Sequence, residues 1–509
     1  MCINRRDFLK TASATGIGLL AGASLPNAKT ASAKPVLGKH AYDDRMAFGV
    51  WVNDVRTEPL PFDTWPPVLF DDLAEQSLIK TMDLQAKWGY NMFDVWGLFA
   101  GWGWPVDIVS AVDKERDKRV KRIIKAAHDR NLKLIYGLGV YSWGFDKIIE
   151  HDPKVKGPNP HAMCGSREES WQWQKKVLDF ISQYDFDGYE IEASDLGRCT
   201  CEECMKKWPL NTAYYTEITG RSADYIRSIT PDRYINGMVI SWADWNRKEG
   251  FTEEERNLVI GLSKKVDSIL DPGHHGTYIK QPDRKAFIEK LQCKFGTSGG
   301  FWVYPPFRAH RLRWFLPYTK KTGTHIKELY ADGGRTMLYY NGPINNPGVE
   351  VNIAFGGKIM SDVDRNVEDV LAEVLEDLYK PKTTEAHKKL VETFQLAEDS
   401  YLNNMDYDPD GVHLKGLQAY PGPGELHIGF GMGPAGNASI IPNYLLEPNL
   451  TDSGRTAYAK GMEKCLKNVC EIEGKCGETE RLQRLKSSIY HAFDDVTNIA
   501  YARETAKKA

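Results

Sequence analysis

The sequence has no apolar run of membrane-spanning length, no strong excess of charge and no internal repeat of fixed period. A transmembrane helix needs about 20 consecutive apolar residues, and no stretch approaches that length. A formal net charge of -3 over 509 residues gives no basic surface of the kind that binds nucleic acid. With 42% hydrophobic and 27% charged residues, the chain is typical of a globular protein with room for a catalytic domain and an accessory one.

A glycine-rich phosphate loop is also missing. A doubly wound nucleotide-binding sheet would carry one after its first strand, where this chain has Val52-Asn-Asp-Val-Arg-Thr-Glu-Pro. Short apolar runs instead alternate with helix-period runs from residue 46 to about 380, which indicates a parallel sheet. The eight predicted strands are Met46–Val52, Asn91–Phe99, Leu132–Val140, Phe186–Ala193, Tyr234–Trp242, Asp267–Leu270, Gly299–Tyr304 and Thr336–Tyr340.

Eight strands is the number that closes a TIM barrel. After residue 380 the pattern becomes helical, with predicted helices over 384–401, 453–470 and 479–503. The sequence therefore predicts a (β/α)8 TIM barrel over residues 34–380 and a C-terminal helical domain over residues 381–509.

Residues 1–33 have the parts of a twin-arginine (Tat) signal peptide. The pair Arg5 and Arg6 precedes a modest apolar run at 17–23, and Ala31-Ser-Ala is a small-residue cleavage motif. This order predicts export in folded form by the Tat machinery, to a bacterial periplasm or beyond it.

The densest group of acids follows the fourth predicted strand. Glu190 and Glu192 are two residues apart, a spacing that puts both side chains on one face of a strand, and Asp195 comes shortly after them. Active sites of TIM barrels lie at the carboxyl ends of the strands. Together with Asp271, at the end of the sixth strand, these residues are the predicted catalytic acids, and the spacing leaves open which of them moves the proton.

Aromatic and polar residues stand at the ends of the other predicted strands. Cleavage of a glycosidic bond needs a carboxylic acid to protonate the leaving oxygen and a second group as base or nucleophile, beside surfaces that hold the sugar. The pattern predicts a carbohydrate substrate. The residues predicted to bind it are Trp51, Asn53, Asp94, Trp96, Trp143, Trp242, His274, His275, Tyr304, Arg308, Tyr340 and Asn341.

Three cysteines follow the acids at close spacing, Cys199-x-Cys201-x2-Cys204, and Cys164 precedes the helix that leads into the same strand. Four thiolates can bind a structural zinc ion, and an exported protein can also pair its thiols in disulfides. The spacing leaves both arrangements open, with free thiols as a third. Either of the first two would restrain the loop after the fourth strand. No cofactor is predicted for catalysis.

Two segments resemble bacterial TIM-barrel glycoside hydrolases related to the α-glucuronidases and β-hexosaminidases. In the first, Cys164-Gly-Ser-Arg-Glu-Glu is similar to their Cys-Ser-Asn-Pro-Glu-like helix start, and residues 186–204 have their Asp-Gly strand ending in acids followed by C-x-C-x2-C. The second, residues 352–379, is similar to the helix that closes their barrel. Over roughly residues 45–400 the resemblance implies the fold and the hydrolase class, with Glu192 and Asp195 on the acid positions.

The resemblance has one clear departure. The adjacent Asp-Glu pair of the hexosaminidases is replaced here by Glu190-Ile-Glu192, so substrate-assisted cleavage of N-acetylhexosamines is not implied. The sequence predicts an exported glycoside hydrolase that uses carboxylic acids for general acid/base catalysis. A polysaccharide lyase or sugar epimerase with a tyrosine or histidine base, and a carbohydrate-binding barrel without activity, are the alternatives it leaves open.

Overall fold

The computed structural model describes residues 36–51, 70–99, 103–193, 197–239, 251–271, 284–299, 315, 317–340, 342, 344–404 and 452–508. Eight parallel strands form a closed barrel in which each strand pairs with its neighbours in chain order. Their bounds are β1 Asp44–Trp51, β2 Met92–Trp96, β3 Lys133–Gly139, β4 Gly188–Glu192, β5 Tyr234–Met238, β6 Ser268–Asp271, β7 Lys294–Gly299 and β8 Thr336–Tyr340.

Helices surround the barrel and continue after its last strand. Those in the described residues are α1 Asp72–Trp88, α2 Lys114–His128, α3 Asp146–His151, α4 Glu168–Ile181, α5 Glu202–Lys207, α6 Asn211–Ile229, α7 Glu253–Leu262, α8 Arg284–Ile288, α9 Lys320–Ala331, α10 Pro347–Ser361, α11 Val367–Tyr379, α12 Thr384–Asn404, α13 Asp452–Glu471 and α14 Thr479–Lys508. The predicted (β/α)8 barrel with a helical C-terminal region is confirmed. Within the described chain, no helix combines the length and apolar content of a membrane span.

The first two helices begin and end as their sequences predict. Asp71 accepts a hydrogen bond from the backbone N–H of Ala74 and so caps α1, while Asp113 caps α2 in the same way. Beyond α1, Gly89 takes a left-handed conformation at φ 98°, which glycine adopts without steric cost. Local sequence is therefore sufficient to place these helix ends.

The seventh strand lies earlier than the sequence predicts. The apolar run Gly299–Tyr304 suggested a strand, but β7 is Lys294–Gly299, and residues 300–304 are outside the described residues. The true strand has weak β-propensity because it carries two glycines. One of them has a structural reason: a Cβ at Gly296 would lie 2.4 Å from the carbonyl oxygen of Thr336 on the neighbouring strand.

A charged network closes the N-terminal end of the barrel interior. The Asp44 carboxylate accepts hydrogen bonds from Lys294 Nζ at 2.9 Å to each oxygen, from Thr336 Oγ1 at 2.9 Å and from the Tyr234 hydroxyl at 2.5 Å. Above this network the interior is filled by an apolar cluster of Met46, Met92, Ile135, Met238, Leu270 and Leu338. The carboxyl ends of the strands are therefore where a ligand can enter.

A buried acid links the C-terminal helices to the barrel. Glu398 on α12 is 2% exposed, and its carboxylate accepts hydrogen bonds at 2.8, 3.2 and 3.1 Å from the backbone N–H groups of Thr319, Lys320 and Lys321. These are the free donors at the start of α9, where the helix dipole also favours a negative charge. Burial raises the pKa of Glu398, and the backbone hydrogen bonds oppose that rise.

We expect Glu398→Gln to lower the free energy of unfolding by about 1–3 kcal/mol, because a neutral amide loses the charged hydrogen bonds to the α9 terminus. Asp399→Asn is the matched control, since Asp399 is the next residue on α12 and is exposed. Urea unfolding at neutral pH measures both. Equal effects in the two variants would contradict the proposed capping role.

Candidate active site

The strand register puts two acids at one level of the barrel interior. Asp94 pairs with Ile135, and Ile135 pairs with Gly188. In a barrel of this type, residues at equal height move up by one position on each successive strand, so interior layers draw on alternate strands. Two strands on from Asp94, the residue at equal height is therefore Glu190. By the same register Leu270 and Leu338 complete the layer.

This acid layer is buried and its carboxylates lack partners among the described residues. The side chains of Asp94 and Glu190 are 0% exposed, and none of their four oxygens has a hydrogen-bond partner in the described part of the chain. Burial raises the pKa of Asp94 well above its ordinary range. The physical cause is that an ionised carboxylate is costly in an apolar environment without a partner.

Gly137 on β3 has no side chain and so makes room for an indole ring beside Glu190. Gly137 pairs with Glu190 on β4 and lies just above the layer of Asp94 and Glu190. A Cβ at Gly137 would be 1.9 Å from Nε1 of Trp96, so the indole occupies the volume that a side chain would take. Trp96 belongs to β2, two residues beyond Asp94 and on the same face. The indole therefore packs against β3, the strand that lies between the strands of the two acids.

The segment after β3 holds a second indole against the first. Trp143 and Trp96 pack edge to face with ring centroids 6.2 Å apart. The backbone there is strained: Tyr141 and Trp143 have φ of 62° and 53°, values that bulky residues rarely adopt. Strain of this kind persists only where the surrounding structure holds the backbone in place. Packing against Trp96 is one contact that holds Trp143 in this position.

Glu192 is the last residue of β4 and stands at the carboxyl end of the barrel. It is two residues beyond Glu190 and so shares its inward face, about 7 Å further along the strand. Its side chain is 3% exposed, and its carbonyl oxygen accepts a hydrogen bond from the N–H of Val140 at 2.9 Å. The side chains of Glu190 and Glu192 thus lie on the same inward face of β4 at successive levels, as their spacing predicts.

Asp271 faces away from this group. Leu270 belongs to the interior cluster, so the alternation of side chains turns Asp271 toward the surrounding helices, in the row of Thr297 and Met337. Burial raises the pKa of Asp271 to about 8, and the positive charge of Arg284 on α8 opposes the rise. The structure does not bring this acid together with Asp94 and Glu190.

Several residues predicted for the site lie wholly or partly outside the described residues. Trp51 and Tyr340 are the final residues of β1 and β8, but only their backbone is described. Those wholly outside are Asp195, Asn53, Trp242, His274, His275, Tyr304, Arg308 and Asn341.

The four predicted cysteines come together beside the site. The Sγ atoms of Cys164, Cys199, Cys201 and Cys204 all lie within 4.8 Å of one another, and Cys164 is 3.6 Å from both Cys201 and Cys204. No disulfide joins any two of the four in the structure. The cluster is a group that could hold a metal ion.

Sequence reasoning gave Asp94 a role in substrate binding and passed over Gly137. The period-two spacing of Met92, Asp94 and Trp96 puts all three on the interior face of β2, so the orientation of Asp94 was readable. The shared level of Asp94 and Glu190 was not, because it depends on the register of β2, β3 and β4. No local pattern distinguishes Gly137 from an ordinary strand glycine.

No protein-family profile and no curated protein matches this chain. Among solved structures it is similar to a GH138 enzyme targeting pectin rhamnogalacturonan II, with a TM-score of 0.56 and 11% identity over 91% of this chain. The chain spans 58% of that protein's length. This likeness shows the fold.

Two further solved structures are similar at a TM-score of 0.47. CpGH84B is 9% identical, with 92% of this chain and 70% of that one covered. An O-GlcNAc hydrolase from Thermobaculum terrenum is 8% identical, with 84% of this chain and 79% of that one covered. These two add no argument to the fold.

The raised pKa of Asp271 makes stability depend on pH. The folded protein keeps this proton up to about pH 8 while the unfolded chain loses it near pH 4, so stability falls as pH rises through that window, by at most about 1.4 kcal/mol per pH unit. The Asp271→Asn variant has no carboxylate here to ionise, so it lacks this loss. We expect the free energy of unfolding of the variant, relative to that of the natural protein, to increase with pH.

Urea unfolding at several pH values between about 5 and 8 measures this difference. The control is Asp232→Asn, which removes an exposed carboxylate on a turn and is expected to leave the pH dependence unchanged. If Asp271→Asn followed the same pH curve as the natural protein, Asp271 would be ionised in the fold.

Proposed function

We propose that this protein is an exported glycoside hydrolase that cleaves a poly- or oligosaccharide by carboxylic acid catalysis at the carboxyl end of its barrel. The observation that carries the proposal is the convergence of three acids. Asp94 and Glu190 share one buried layer, and Glu192 stands above them at the mouth, beside the indoles of Trp96 and Trp143.

The three acids differ in environment, which suits different roles. Glu192 is nearest the mouth and is the acid placed to touch a sugar, as general acid or base. Asp94 is a buried acid whose pKa is raised, so the proposal gives it the protonated role in the layer that it shares with Glu190. Glycosidic cleavage uses a protonated and an ionised carboxyl group in one site, and differences in burial are the physical means of keeping both.

The fold supports the proposal without deciding the substrate. The similar GH138 enzyme targets pectin rhamnogalacturonan II, so acidic plant polysaccharides are the first substrates to assay. Indole surfaces at the mouth are suited to the flat C–H faces of sugar rings. Tat export is proposed on the Arg5-Arg6 pair and the cleavage motif at 31–33.

We expect Glu192→Gln to lower kcat by about 10²–10⁴-fold, because the amide can neither donate nor accept the transferred proton. Glu190→Gln and Asp94→Asn keep side-chain shape and test the buried pair, with a smaller loss expected. Release of reducing ends from a glycan panel measures turnover, and isothermal titration measures sugar binding, which we expect to persist.

The control is Glu289→Gln, an exposed acid after α8 that should leave turnover unchanged. Full activity in Glu192→Gln would remove this residue from the mechanism. An unsaturated product absorbing in the ultraviolet would indicate a lyase instead. Sugar affinity without turnover across the panel would indicate a binding protein.

Export is tested separately by Arg5→Lys together with Arg6→Lys. The Tat machinery reads the arginine pair, so the double variant is expected to stay in the cytoplasm at full length, while the natural protein appears in the exported fraction. Fractionation and mass measurement of the N-terminus report both. Unchanged export of the variant would contradict the Tat route.

A further inference from the structure

We propose that Cys164, Cys199, Cys201 and Cys204 bind one zinc ion in a tetrahedral, purely structural site that joins the segments leaving β3 and β4. This assignment is independent of the hydrolase proposal, because it concerns a metal that touches no substrate. Two chain segments, 155–170 and 198–204, supply and support the four ligands.

The sulfur geometry matches zinc. With zinc–sulfur bonds of about 2.3 Å, the sulfur atoms of a tetrahedral site lie about 3.8 Å apart. Here Cys164 Sγ is 3.6 Å from the sulfurs of Cys201 and Cys204, and no pair in the group exceeds 4.8 Å. A disulfide would need sulfurs about 2 Å apart. The four thiols therefore surround a centre of the size of one ion.

Hydrogen bonds to the backbone hold the ligands in this arrangement. The N–H of Cys164 donates to the carbonyl of Val155 at 2.8 Å, and Ser170 Oγ donates to the carbonyl of Cys164 at 2.7 Å. Cys201 caps helix α5, its sulfur accepting from the N–H of Cys204 at 3.5 Å. The spacing of Cys201 and Cys204 is thus set by the first turn of a helix, and Cys199 lies two residues before the cap.

The packing around the cluster is close. A Cβ at Gly157 would lie 2.4 Å from Cys199 Sγ, and a Cβ at Gly165 would lie 2.4 Å from the ring of Tyr214. Cys164, Cys199 and Cys204 are each at most 1% exposed. A buried tetrahedral site of four thiolates with no open position is typical of structural zinc rather than catalytic zinc.

A buried arginine lies in the segment that carries three of the ligands. Four thiolates and one Zn²⁺ carry a net charge of about -2. Arg198 directly precedes Cys199, is 4% exposed and lies over the ring of Tyr214, which packs on Gly165. Its Nε and Nη1 have no hydrogen-bond partner within the described residues. A guanidinium without a carboxylate is costly to bury, and the negative charge of the proposed zinc–thiolate site has the sign that would offset that cost.

The site would connect two walls of the barrel mouth. Met163, next to Cys164, donates its N–H to the carbonyl of Tyr141 at 2.7 Å, so the first ligand is attached to the strained segment that carries Trp143. The other three ligands begin seven residues after Glu192. The zinc ion would therefore hold both segments in register.

Metal analysis of the purified full-length protein tests the proposal directly. We expect about one zinc per chain, and its replacement by Co²⁺ should produce the intense visible bands and sulfur-to-cobalt charge transfer of a tetrahedral thiolate site. Iron in place of zinc would overturn the zinc assignment. Protein without metal would also overturn it. That holds both if titration finds four free thiols and if mass measurement shows that the thiols have formed disulfides.

Cys201→Ser tests the ligand set, because Cys201 is the partly exposed member and its loss perturbs packing least. We expect the zinc content to fall at least tenfold, and we expect limited proteolysis to cleave the chain within residues 193–204. Cys293→Ser is the matched control, since Cys293 is also partly exposed and lies outside the cluster. Should the serine variant fail to fold, chelator treatment of the natural protein followed by zinc or cobalt titration gives the same answer.

Discussion

The closure of eight strands into one barrel with a one-residue rise per strand is the constraint on which the site depends. It decides which inward side chains share a level. Asp94 and Glu190 are 96 residues apart in the chain, and they share a level because alternate strands contribute to each layer. The same rule fills the rest of that layer with Leu270 and Leu338.

The barrel's two ends carry charge for different purposes. At the N-terminal end, the Asp44 carboxylate is fully hydrogen-bonded to Lys294 and its neighbours, an arrangement that stabilises the fold. In the upper half, Asp94 and Glu190 have no such partners in the described residues. A buried polar group that the fold leaves unsatisfied reduces stability, and it is where a ligand or a reaction would supply the missing interaction.

Two features tie the connecting segments of the barrel to its rigid part. Glu398 fastens the C-terminal helices to the start of α9 through three backbone donors. The cysteine cluster brings the chain after β4 against the chain after β3. Glu398 acts through contacts with residues 77–79 positions away and is not visible as a local pattern, whereas the close spacing of Cys199, Cys201 and Cys204 is visible in the sequence.

Local sequence determined the capped starts of α1 and α2, seven of the eight strands, the inward face of Glu190 and Glu192 and the set of four cysteines, because caps, period-two spacing and close cysteine spacing act over a few residues. It misplaced β7, where Gly296 makes room for the backbone of β8. Only the tertiary structure decided that Asp94 is level with Glu190 and that Asp271 turns toward the helices. Each of these depends on register or on contacts between distant segments, which the order of residues does not encode locally.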